Sequence, residues 1–216
     1  MLASVALATL LVLQAPSPKA PAGADVLFSG KAAEIGANWF KRYTKDPGAW
    51  TFENGVMSGN GVDLTSRKEY GDVQVHVEFR CPTTGGSGNA GVGLMGRYEI
   101  QIYDSFNKPI AKNGNGSMYS QFGARVEASK PVGQWQTFDI MFRAPRFDFD
   151  GKVTESARAT VFLNGVLIHN NESFTGMTGI QYSEYASEAK KGPLVLQGDH
   201  DPVSFRNVWV LPVDRS

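Results

Sequence analysis

Three short stretches of the chain carry side chains that could do chemistry together. In RYEIQIYDS, Glu99, Gln101 and Asp104 stand at a Glu-x-Gln-x-x-Asp spacing. Successive strand residues point to opposite faces, so Glu99 and Gln101 share one face while Tyr98, Ile100 and Ile102 share the other, the core side. A bulge or strand end would bring Asp104 round to Glu99, and two carboxylates about 5–5.5 Å apart suit a double-displacement cleavage of a glycosidic bond. In DVQVHVEFR, the set Gln74, His76, Glu78 and Arg80 opposes Val73, Val75, Val77 and Phe79. In GPLVLQGDHDPVSFRNVWV, the residues Gln197, Asp199, His200, Asp201 and Arg206 crowd around one Gly-Asp-His-Asp-Pro turn. An imidazole there can take or give a proton near neutral pH, and Asp199 with Asp201 could offer oxygens to a divalent cation such as Ca²⁺. Each stretch alone also fits a solvated strand face, since an exposed pair such as Glu78 and Arg80 is worth little energetically.

The elements that must position these groups are strands. Short alternating runs broken by turns recur, and no helical period is sustained beyond a turn or two. Asn54-Gly55 and Asn164-Gly165 are hairpin signals, because both central positions of a type I′ turn need positive φ. Further strands are expected at 72–80, 91–95, 98–103, 136–143, 194–197 and 205–211, which predicts an all-β sandwich of two antiparallel sheets. Two long segments, 105–132 and 171–192, interrupt the rhythm, and loops of that length are usually functional or mobile. Trp39, Trp50, Tyr119, Tyr182 and Tyr185 could stack on sugar rings, whereas Trp135 and Trp209 are expected in the core.

Composition narrows the partners. Lys plus Arg and Asp plus Glu both number 21, so the formal charge is zero and no basic run tracks a phosphate backbone; nucleic acid is not expected. Cys81 is the single cysteine, which excludes an internal disulfide and a cysteine-based metal site, and it reads as a buried small hydrophobe. Residues 1–24 hold an apolar run over 2–13 and then Ala22-Gly23-Ala24, the pattern of a secretory signal peptide cleaved before Asp25, although no Lys or Arg precedes the run. That run is too short for a bilayer span, so a protein exported to the bacterial periplasm or beyond is expected, with 25–216 forming one domain.

EYGDVQVHVEFRCP, SGNAGVGLMGRYEIQIYDS, KPVGQWQTFDIMFRAPRFD, ATVFLNGVLIHN and GPLVLQGDHDPVSFRNVWVLPV resemble, in order, blocks of the 3-keto-disaccharide hydrolase family. The likeness runs from about Val26 to Val213. It implies a concanavalin A-like jelly-roll sandwich and action on an oligosaccharide or glycoside oxidised to a ketone at C3. The ketone acidifies C2-H, so a base can remove that proton, the C1 substituent leaves, and water adds. The chain departs from the family pattern at Ala90, at Gly116-Ser117-Met118-Tyr119 and at Asp201.

That chemistry asks for a base, a partner for the developing enolate and an acid for the leaving oxygen. His200 or Glu99 is the expected base; Arg80, or a divalent cation held partly by Asp199, the enolate partner; Glu78 or Asp104 the acid. Gln101, Asn89, Gln197, Tyr119 and Arg206 are expected to bind substrate. Glu78, Arg80, Glu99, Gln101 and His200 should then converge on one cleft. Two alternatives stand beside this reading. The Glu-x-Gln-x-x-Asp strand is similar to the Glu-x-Asp-x-x-Glu strand of laminarinase-like hydrolases, with Glu99 and Asp104 as a retaining pair. A binding-only carbohydrate module on the same fold is the other.

Overall fold

A computed structural model describes residues 17–178 and 187–213. Its strands are β1 (Asp25–Phe28), β2 (Trp39–Lys41), β3 (Thr51–Glu53), β4 (Val56–Ser58), β5 (Leu64–Tyr70), β6 (Val73–Arg80), β7 (Ala90–Leu94), β8 (Tyr98–Ile102), β9 (Gln136–Arg143), β10 (Arg146–Phe147), β11 (Val153–Glu155), β12 (Arg158–Leu163), β13 (Val166–Ser173), β14 (Gly192–Leu196) and β15 (Ser204–Pro212). One short helix, α1 (Ala32–Asn38), follows β1. An eight-stranded sheet runs β13-β12-β9-β6-β15-β4-β3, with β1 also on β15, and a five-stranded sheet runs β2-β5-β14-β7-β8. Every pairing is antiparallel, and β10 and β11 form a separate ribbon. This is the sandwich of two antiparallel sheets that the alternation predicted, with the jelly-roll, concanavalin A-like form that the family resemblance implied.

Alternation decides what each sheet turns inward. Val73, Val75, Val77 and Phe79 of β6 are all buried, with Phe79 meeting Phe138 of β9 at 4.7 Å between ring centroids. From the smaller sheet, Tyr98 crosses the interior to Phe142 at 5.5 Å and Phe174 at 5.0 Å, beside buried Ile100 and Ile102. The Asn-Gly turns close two hairpins: Asn54 and Gly55 have φ of 50° and 78°, and Asn164 and Gly165 have 54° and 81°. Cys81 is buried, and burial pushes its thiol up to about 12.

Three of the four tryptophans, Trp39, Trp50 and Trp135, stand elsewhere than expected. Trp39 and Trp50 are buried, each donating its indole N–H to a carbonyl (Leu27 at 3.2 Å, Val62 at 2.7 Å), so neither offers a sugar platform. Trp135 is only half-buried, stacked with Arg80 and Arg206. Trp209 is buried, yet outside the inter-sheet core, lying against His76 at 5.1 Å and 12° between planes. Tyr182, Tyr185 and the apolar run 2–13 lie outside the described residues.

Phe79 fills the interior with no exposure. Phe79→Ala is therefore expected to lower stability by about 3–5 kcal/mol, read as a fall in the urea midpoint with an unchanged slope.

Candidate functional site

On the five-stranded sheet, Leu64, Val92, Leu94, Ile100, Leu194 and Leu196 belong to the core. Their neighbours Thr65, Gly91, Gly93, Glu99, Gln101 and Val195 therefore point to the opposite, outer face. Gly93 pairs with Glu99 and Gly91 with Gln101. A Cβ on Gly91 would sit 2.6 Å from Glu99 Oε1, so the Glu99 carboxyl lies across β7 only because the residue beneath it has no side chain. Beyond β8 the ladder continues: Gln101 N–H donates to the Ser117 carbonyl at 3.0 Å and Tyr119 N–H to that of Glu99 at 3.2 Å. This pairing sets Ser117 beside Gln101 and half-buried Tyr119 beside Glu99. Glu99 N–H donates to Thr178 Oγ1 at 2.9 Å.

Charge gathers around this carboxyl. Burial, with the Asp63 and Asp199 charges, raises the Glu99 pKa to about 8, although the Gln197 amide and Arg42 pull the other way. Glu99 Oε2 is buried without a hydrogen-bond partner. Gln101 bridges outward: its amide lies 3.0 Å from Asn89 Oδ1 and, turned so that its NH₂ faces the carboxyl, donates to Glu99 Oε1 at 2.7 Å. Asp63 is anchored by Arg42 at 2.7 Å and accepts the N–H groups of Gly198 (2.9 Å) and Asp199 (3.3 Å), which shapes the 197–201 turn. Burial and Asp63 raise the Asp199 pKa, while His200, half exposed with Nε2 3.6 Å from Asp199 Oδ1, opposes that shift.

Asp201 is held by the loop that precedes β7. It accepts hydrogen bonds from Ser87 N–H (2.9 Å), Ser87 O–H (3.2 Å) and Asn89 N–H (2.7 Å), and so clips the loop that carries Asn89 onto the turn that carries His200. With Asp201 bound to backbone and Asp199 facing Asp63, the donors expected to hold a divalent cation are directed elsewhere. Among the described residues no three His, Cys, Asp or Glu side chains are placed to bind a metal.

The sheet thus brings together Glu99, Gln101, Asn89, Gln197 and Tyr119, with the Asp199 charge acting on Glu99 and His200 standing beside Asp199. It does not bring Glu78, Arg80 or Arg206 to them, which corrects the single cleft expected from sequence. β6 and β15 belong to the other sheet, and with Val77, Phe79 and Phe205 in the core their polar neighbours can only face that sheet's own outer side. There Glu78 accepts from Arg206 Nε at 2.6 Å and from the Asn207 amide at 2.9 Å, and lies 3.6 Å from His76 Nε2. Burial opposes ionisation of Glu78, but hydrogen bonds from His76, Asn207, Ser17 and Arg206 hold its pKa down at about 2. Burial would likewise lower the His76 pKa, yet bonds to Asp139 and Glu78 raise it to about 9. Glu78 is therefore an anion in an ion-pair network, not a proton donor. Asp104 is also separated: three strand steps of ~3.3 Å divide Glu99 from Ile102 alone, roughly 10 Å, and Asp104 lies beyond, paired with Lys108 at 2.7 Å. Lys108, and not Glu99, is thus the partner shown for the Asp104 carboxylate. Asp63, Arg42, Ser117 and Thr178 were not foreseen; the polar alternation of Asp63 and Thr65 about Leu64 was the one available signal.

Residues 23–211 match the family described as the 3-keto-alpha-glucoside-1,2-lyase-like domain. The chain belongs to this family. A proposed glycosyl hydrolase of Parabacteroides distasonis ATCC 8503 is 33% identical, with a TM-score of 0.76, over 90% of this chain and 85% of that one. A second from the same organism, 19% identical over 89% of this chain and 95% of its own, has a TM-score of 0.64. The alginate lyase Aly36B, 10% identical over 90% and 95%, reaches 0.52; these last two share the fold alone. No curated protein matches the chain. Family membership places the protein among carbohydrate-active proteins, and no helix among its described residues is long and apolar enough to cross a membrane.

A carboxyl whose pKa rises from 4.5 unfolded to about 8 folded binds its proton more tightly in the native state. Its favourable contribution is whole below pH 4.5 and is lost as pH climbs to about 8. Glu99→Gln removes that titration. The variant's stability relative to wild type should rise through this window and level off above it, measured by urea unfolding across pH.

Proposed function

We propose that the protein cleaves glycosides carrying a ketone at C3, using the outer face of the five-stranded sheet. The observation that carries this reading is Glu99: a buried carboxyl with pKa about 8, laid over glycine, with one oxygen unpartnered. At neutral pH it holds its proton, as a carboxyl in an apolar site does when it must donate. Glu99 is therefore assigned as the acid for the leaving oxygen, and its earlier candidacy as base passes to His200, which stands on the same turn as Asp199 with its imidazole reachable from solvent.

In the reaction His200 takes the C2 proton, and the C–H electron pair passes through the enolate of the C3 ketone. The pair then forms the C1=C2 bond as the C1–O bond breaks. Glu99 gives its proton to the departing oxygen, water adds hydroxyl to C1 and hydrogen to C2, and the proton on His200 passes to solvent while Glu99 takes one back from it. Gln101, Asn89, Gln197 and Tyr119 supply donors and acceptors for ring hydroxyls. The P. distasonis relative and the family description support the substrate class.

Export of the chain, with cleavage of 1–24 after Ala24, belongs to the same proposal. That cleavage would remove Pro18, whose carbonyl accepts the Asn207 amide at 3.0 Å, and mass spectrometry of the exported protein reads the new terminus directly.

A 3-keto-glucoside should release its aglycone while the unoxidised parent stays intact, and product formed in D₂O should carry deuterium at C2. Glu99→Gln and His200→Ala should each lower the rate on the order of 10²–10⁴-fold. The wild-type rate should fall as pH passes about 8, where Glu99 loses its proton. Turnover of the parent glucoside would overturn the reaction class, and unchanged rates in both variants would overturn the assignments.

A further inference from the structure

A second polar row crosses the outer face of the larger sheet. Thr51 pairs with Ser58, Ser58 with Ser204, and Ser204 with Arg80. Met57, Phe205 and Phe79, the chain neighbours of the last three, are wholly buried, so alternation turns the polar members outward. Trp135, just before β9, extends the row. Its ring centroid lies 4.9 Å from Arg80 Cζ and 4.1 Å from Arg206 Cζ, and the two guanidinium groups fix the half-buried indole in place. Strands lie ~4.8 Å apart, so the row spans roughly 19 Å.

This row lines a cleft of about 430 Å³, completed by Glu53, Asn54 and Val56 from the β3–β4 hairpin. The volume falls within the range of small-ligand sites, about 300–1,000 Å³. Arg206 is occupied by Glu78, and the Ser58 and Ser204 hydroxyls bond each other at 3.0 Å. Arg80 has no carboxylate within ion-pair distance among the described residues, and its guanidinium lies over the Trp135 indole. Among the described lining residues Arg80 and Glu53 carry opposite formal charges without pairing, so the lining has no net charge to favour an anion or a cation. Hydroxyls, a guanidinium and an indole in a line, with a carboxylate and an amide beside it, suit a ligand that is uncharged, rich in hydroxyls and apolar on its C–H faces.

We infer that this cleft is a second, non-catalytic binding site for a linear neutral saccharide, on the face of the sandwich opposite Glu99. The ligand class rests on the carbohydrate-active family and not on the ketone chemistry. A polymer held on one face would keep its ends near the other.

Native gels cast with dextran, barley β-glucan or xylan, and one with a polyuronate, test it on the full chain. At least one neutral polymer should retard the protein, and high salt should leave that retardation unchanged, since no net charge is engaged. Trp135→Ala and Thr51→Trp should each weaken retardation on the order of tenfold or more, the usual cost of losing or blocking an aromatic anchor. Both should keep the wild-type circular dichroism and wild-type turnover of a small 3-keto-glucoside. Thr51 is exposed, so its variant stands even if the Trp135 variant does not fold. Retardation by no neutral polymer, retardation undiminished in a folded variant, or retardation by polyuronate alone that salt abolishes would each overturn the inference. Inactivity toward the keto-glucoside would leave the gel result intact, so the two proposals fail separately.

Discussion

A strand has two faces and a period of two, and nearly everything in this protein follows from that constraint. Once Val75, Val77 and Phe79 are committed to the interior from one sheet and Ile100 and Ile102 from the other, the polar residue beside each has a single destination. The apolar interior, close-packed through Phe79–Phe138 and Tyr98–Phe142, holds the two polar sets on opposite sides of the sandwich. No local rearrangement could unite Glu78 with Glu99, because a one-residue slip would expose every core side chain of the strand.

The two outer faces resolve their buried charge differently. On the larger sheet, Glu78 is surrounded by donors from His76, Arg206 and Asn207 and stays ionised. Such a network holds its geometry well but leaves no proton to give. On the smaller sheet, Glu99 is buried beside other acids, with Arg42 drawn off by Asp63, and the neutral form wins. Two glutamates of similar sequence context thus end with pKa values near 2 and near 8. Environment, not residue type, separates an ion-pair member from a proton donor.

Missing side chains matter as much as present ones. Gly91 leaves the space that the Glu99 carboxyl fills, and Gly86 leaves the space for Asp201, since a Cβ there would lie 2.2 Å from Asp201 Oδ1. Through Asp201 the 81–89 loop is fastened to the turn bearing Asp199 and His200. The departure from the family pattern at Asp201 is thereby given a mechanical use: it holds Asn89 within reach of Gln101.

The sequence by itself determined the class of fold, the strand faces and the hairpins, because period-two alternation and the positive φ of Asn-Gly turns are local properties, visible within a few residues. It also marked Glu99, Gln101, Gln197 and His200 as candidate site residues, although each stretch taken alone fitted a solvated face as well. Which polar faces meet was decided only by tertiary structure, since β6 and β8 look alike one at a time and differ only in the sheet they join. The same holds for Arg42 and Asp63, a buried pair 2.7 Å apart that the chain order does not announce, and for Trp135 and Trp50, whose burial depends on what packs over them. Local periodicity says which way a side chain points; strand order across the sandwich says what it finds there.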